Sequence, residues 1–167
     1  MDHDKQLRQQ LAKALDWHEA HADLAASVKD FPAELRGKVP DGLPHSAWQL
    51  LEHIRIALWD IYEFSRSARH KSPEWPDGYW PKAAAPPNDE AWQHSIAAIN
   101  EHLEGMRKLI TDPKHDLLAP IPGGSGQTLL REALLIADHN AYHLAQLVDV
   151  RRLLGAWPGK MRTGSHP

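Results

Sequence analysis

From Ser46 to Glu63 apolar residues return every three or four positions. Leu50, Ile54, Ala57, Leu58 and Ile61 form one stripe, while Glu52, Arg55 and Glu63 mark a polar side. That is the period of an amphipathic α-helix. Ser46, followed three residues later by Gln49, has the form of a capping box, so the helix is predicted over about 46–69. The same period recurs in Trp92, Ile96, Ile99, Leu103, Met106 and Ile110, with Asp89 and Glu90 in the first turn and Asp112-Pro113 as the stop, which predicts a helix over 88–111. A further helix runs from Thr128 to Leu154 and is closed by Gly155. A first one spans about 4–29 and ends before Phe31-Pro32. The connections are rich in helix breakers: three prolines and two glycines in FPAELRGKVPDGLP, and five prolines in KSPEWPDGYWPKAAAPPND. APIPGGSGQT has glycines before a helix but lacks the Gly-Lys-Ser/Thr of a phosphate-binding loop and follows no strand, so it reads as a turn. No strand-like alternation and no repeat appears. The pattern predicts an all-α chain, a four-helix bundle forming a single domain over 1–167.

A formal charge of −3 offers no basic field for nucleic acid. Arg151, Arg152, Lys160 and Arg162 read as a solvated helix end and tail, where cations suit the helix dipole. The absence of cysteine excludes disulfides, thiolate metal sites and a cysteine nucleophile. No basic stretch followed by an apolar one opens the chain, and no apolar run is long enough to cross a bilayer. The expectation is a soluble cytoplasmic protein with no membrane or nucleic-acid partner.

Candidate chemistry rests on the histidines, of which there are twelve. His3, His45, His70, His94, His102, His115 and His166 read as ordinary surface or packing residues. His139 and His143 differ because of their setting. From Ala133 to Val148 the polar side chains are Asp138, His139, Asn140, Tyr142, His143 and Gln146, and the rest are apolar. Residues four apart share a helix face, so the two imidazoles and Gln146 fall on one stripe. His53 lies beside the core stripe of its own helix, and a packed neighbour brings it to the same spot. Gln49 and Asp60 lie on its side of the helix and are candidates to orient an imidazole. From spacing alone two readings stay open: a hydrogen-bonded core network, and a divalent-metal site of three imidazoles with an open position. His18 and His21, three apart in DWHEAHADL, are candidates to line the same cavity for substrate binding or proton transfer, as is Tyr142. Trp75 and Trp80 sit in the proline-rich loop, where they either cap a pocket or dock the loop.

HSAWQLLEHIRIALWDI and GQTLLREALLIADHNAYHLAQLVDVRRLLGAW carry a resemblance that extends over nearly the whole chain. The chain resembles the DinB/YfiT-like superfamily, whose pattern is one histidine on the second helix and an H-x-x-x-H pair on the fourth. Those positions are His53, His139 and His143 here. The resemblance implies an up-down-down-up four-helix bundle, a divalent metal (nickel or zinc) held by the three histidines, and a homodimer. It also implies an activity class, since the superfamily includes thiol-dependent S-transferases and a thiol-dependent isomerase. With no cysteine in the chain, such a thiol is an exogenous low-molecular-weight one. The expectation is a metal-dependent enzyme of the thiol S-transferase type acting on a small electrophile. The alternatives are a metal-dependent hydrolase and a non-catalytic metal- or ligand-binding bundle.

Overall fold

The computed structural model describes residues 2–16 and 20–157. Its helices are α1 (His3–Ala14), α2 (Leu24–Val28), α3 (Ala47–Arg66), α4 (Asp89–Thr111) and α5 (Leu129–Leu153), with no named strand among the described residues. Each begins on a polar N-cap. Asp2, Asp23, Ser46, Asn88 and Thr128 accept the backbone N–H of Lys5, Ala26, Gln49, Ala91 and Arg131, satisfying one orphan donor apiece. At Ser46 the box is reciprocal, because the Gln49 side chain accepts from the Ser46 N–H.

The four long helices enclose one core. Leu50, Leu51, Ile54 and Leu58 from α3, Ile99, Met106 and Ile110 from α4, and Ile136 and Leu147 from α5 are all almost completely buried. Each such side chain contributes about 1.5–3 kcal/mol of transfer free energy. Gly105 lets α4 run under Tyr62 of α3, since a Cβ there would lie 2.5 Å from the tyrosine ring. APIPGGSGQT is a turn: Pro120 and Thr128 form an isolated bridge, and Gly123 and Gly126 take positive φ. No described helix is long and apolar enough to cross a membrane.

Three expectations need correction. The segment 4–29 is not one helix: α1 stops at Ala14, and Asp23 caps the separate five-residue α2. A capping aspartate competes with helix continuation by bonding the N–H three residues on. Glu52 is not on a wet side. It is 9% exposed, gripped by Arg55 at 2.7 and 2.9 Å and by the Ser95 hydroxyl of α4. Burial pushes its carboxyl up, but those bonds outweigh it and hold it below the ordinary value. Finally, Arg151 is not solvated.

Arg151 is 1% exposed, with its guanidinium donating to the carbonyls of Ala26, Ser27 and Lys29 at the end of α2 and to Ala156. Phe31 and Trp157 present their rings to the cation. Arg8 does the same at the other end of the chain, closing α4 through the carbonyls of Ile110, Asp112 and His115. Helix C-termini leave carbonyls without partners, and in both places a fork of N–H groups from another helix supplies them. Arg152 is exposed, in keeping with the solvated reading; Lys160 and Arg162 lie outside the described residues.

Candidate metal centre

α3 and α5 pack along each other, bringing His53 of one against His139 and His143 of the other. Nε2 of His53 lies 3.1 Å from Nε2 of His143 and 3.1 Å from Nε2 of His139. One nitrogen from each ring fits within a common span of 4.8 Å. His53 is 4% exposed and His143 8%, while His139 is half-buried.

The far sides of two rings fix what the near sides can do. His53 Nδ1 meets the Tyr79 carbonyl at 2.9 Å and His143 Nδ1 meets Gln146 Oε1 at 2.7 Å. Both partners are oxygens that only accept, so each Nδ1 carries the proton and each neutral Nε2 presents a lone pair. Two lone pairs therefore face each other at 3.1 Å. A proton on His139 Nε2 satisfies its contact with His53 but leaves the contact between His53 and His143 unmade. A cation would satisfy all three nitrogens at once.

The residues fit a divalent metal by donor type and by spacing. Imidazole nitrogens about 2.0–2.1 Å from a tetrahedral ion stand about 3.3 Å from one another. The Nδ1–H acceptors on His53 and His143 are those that orient metal-ligating histidines. On the third ring, His139 Nδ1 is buried without a hydrogen-bond partner.

Electrostatics favours the neutral form of the three imidazoles. Burial, then the neighbouring imidazoles, push His53 and His139 down to about 4, opposed by the Tyr79 carbonyl at His53 and by Asn140 at His139. Burial also lowers His143, against the pull of Gln146. Imidazoles of the unfolded chain take up protons near 6.5 and these two folded ones only near 4, so between those values the unfolded state binds more protons. Stability of the metal-free protein is expected to be full above about 6.5 and to fall as pH drops toward 4. Urea unfolding in chelator at a series of pH values checks this, and a His53→Gln/His139→Gln variant should show a weaker dependence.

Trp80 lies flat on His53, with centroids 3.8 Å apart and planes 2° from parallel, and His45 stacks on its other face at 4.0 Å. The proline-rich loop thus covers one side of the site. Its other tryptophan, Trp75, is 75% exposed and touches Tyr79 edge-on. Tyr142 is 62% exposed and sets its ring edge-on to His143, which places it at the rim. His21 stands apart in the exposed turn before α2, where its Nδ1 meets the Ala22 carbonyl; it lines surface cavities with Ala141 and Leu144 that none of the three histidines borders. His18 lies outside the described residues.

The orienting partners differ from those proposed from sequence. Gln49 is committed to its capping box, and Asp60 bonds Tyr79 and His70 rather than an imidazole of the three. Gln146 was legible, because it shares the stripe of His139 and His143. The Tyr79 carbonyl was not, because a backbone acceptor has no sequence signature. His45, read as a surface or packing residue, packs on Trp80. Replacing Gln146 with leucine is expected to weaken zinc binding roughly 10- to 100-fold by freeing the His143 ring. A chelator-competition titration measures it, and an unchanged affinity would remove Gln146 from the site.

No curated protein and no solved structure matches the chain. A profile of the DinB superfamily matches residues 16–147, a span that contains all three histidines and the loop that covers them. With that match over most of its length, on an all-helical fold with a three-histidine cluster, the chain belongs to the DinB superfamily.

Proposed function

We propose that this protein is a divalent-metal-dependent enzyme that joins an exogenous low-molecular-weight thiol to a small electrophile. The observation that carries the reading is the convergence of three imidazole nitrogens within 4.8 Å of one another, two of which, on His53 and His143, are left with inward lone pairs by their outer hydrogen bonds. Zinc and nickel both suit such a donor set. When bound, a cation with three neutral ligands keeps its full double charge and acidifies a thiol or water beside it. The chain's own residues hold the rings of His53 and His143 in one tautomer and cover His53 with an indole. With no cysteine in the chain, the sulfur comes from the co-substrate. In the reaction the thiol sulfur forms a bond to the electrophilic carbon. The leaving group departs with its electron pair, and the thiol proton passes to solvent. Tyr142 is the rim residue best placed to meet the substrate.

The test is a panel of low-molecular-weight thiols and electrophiles incubated with zinc- or nickel-loaded protein and read by mass spectrometry. The expected result is conjugate formation that requires both metal and thiol and is lost in His139→Ala. Turnover of an ester or amide panel without thiol would replace this reading with metal-assisted hydrolysis, which the same three nitrogens support. No turnover in either panel would leave a metal-binding bundle without catalysis.

A further inference from the structure

The residue that orients His53 is itself held from a second point on the same helix. Tyr79 closes the 3-10 turn Asp77–Tyr79, and its carbonyl accepts from His53 Nδ1 at 2.9 Å. Its hydroxyl donates to Asp60 Oδ2 at 2.6 Å. His53 and Asp60 are seven residues apart on α3, two turns along one face, or about 10 Å. Tyr79 therefore spans two turns of α3, gripped at its main chain by the histidine and at its ring end by the carboxylate.

Asp60 is 8% exposed, and a carboxylate so buried is costly unless its oxygens are occupied. Both are: Oδ2 by Tyr79, and Oδ1 by His70 Nε2 at 2.7 Å. Trp59 sets its ring edge-on to His70 and closes the far side. The turn itself has little slack. Gly78 N–H bonds the Glu74 carbonyl at 2.7 Å, and a Cβ on Gly78 would lie 2.8 Å from that of Pro73. A docking contact alone needs no buried anion. This one bonds the very residue whose carbonyl sets the tautomer of a ligand.

We propose that Asp60 is a positioning residue for the metal centre: by holding the Tyr79 hydroxyl it fixes the Tyr79 carbonyl and, through it, the ring of His53. The inference rests on reading the three histidines as a metal site. Tyr79→Phe removes the hydroxyl and keeps the ring; Asp60→Asn keeps the shape and removes one acceptor. Two measurements test the relay. The first is exchange of the His53 imidazole Nδ1–H with solvent, followed by nitrogen-15 NMR on metal-free protein with the His143 Nδ1–H as internal reference. The second is zinc affinity by chelator competition.

In both variants the His53 proton is expected to exchange about tenfold faster or more while that of His143 stays as in wild type. Zinc affinity is expected to fall roughly 10- to 100-fold, as for other partners of metal ligands. The double variant should be no worse than either single one, because both changes cut the same line. Unchanged His53 exchange in both variants would overturn the proposal. So would equal acceleration at His53 and His143, which would signify general loosening. Were wild type to bind no zinc, the metal reading would fall, while the exchange measurement would still decide whether Asp60 orients His53.

Discussion

His139→Ala is expected to strip the protein of its cation. Wild type purified without added metal and without a nickel column should carry close to one equivalent of divalent metal, and the variant should carry none after the same dialysis. The reason is geometric. Nε2 of His139 is 3.1 Å from Nε2 of His53, and removing it leaves two nitrogens where a catalytic-type site needs three. His45→Ala is the matched control: its ring stacks on Trp80 but contributes no atom to the convergent set, so metal content should hold. Elemental analysis by mass spectrometry reads both. Wild type that takes up neither zinc nor nickel after incubation would make the three histidines a buried polar network and favour the non-catalytic reading.

The second large effect concerns stability. Arg151→Met removes the donors that satisfy the carbonyls of Ala26, Ser27, Lys29 and Ala156. A buried acceptor left bare costs about 1–3 kcal/mol, and rehydration recovers part of that, so the expected loss is about 3–5 kcal/mol. For a chain of this size that lowers Tm by roughly 10 °C. Arg152→Met, next in sequence but exposed, should change stability by less than about 0.5 kcal/mol. Thermal and urea unfolding at matched metal content compare the two, and equal losses would refute the role assigned to Arg151.

Much of the frame could be read from the sequence, for a physical reason: helix starts are local. Ser46, Asn88 and Thr128 bond N–H groups three residues away, so their caps are written in adjacent letters. The three-histidine cluster was legible for a similar reason. A four-residue spacing on an apolar helix is a face, and His53 lies beside the core stripe of the helix that packs against it. What failed was non-local. The break before α2 is an exception: the Asp23 cap is as local as the others, but with neither proline nor glycine in DWHEAHADL the aspartate reads equally as a polar position of a continuing helix. Glu52 and Arg151 look like surface charges because their partners, Ser95 and the end of α2, are distant in sequence. Asp60 was rightly placed on the side of His53, but its effect passes through a main-chain carbonyl that side-chain identities do not reveal.

His53 lies 86 residues from His139 and 90 from His143. A cation bound to all three would tie those distant stretches into one closed loop, as a disulfide does in a secreted domain. Loops of that length restrict the unfolded chain by an amount worth about 4–5 kcal/mol in the chain-entropy account. In a chain without cysteine this would be a staple indifferent to reductant. It would be opened instead by acid or a chelator, so the redox state of the surroundings would leave the fold untouched while their metal supply would set how tightly it is closed.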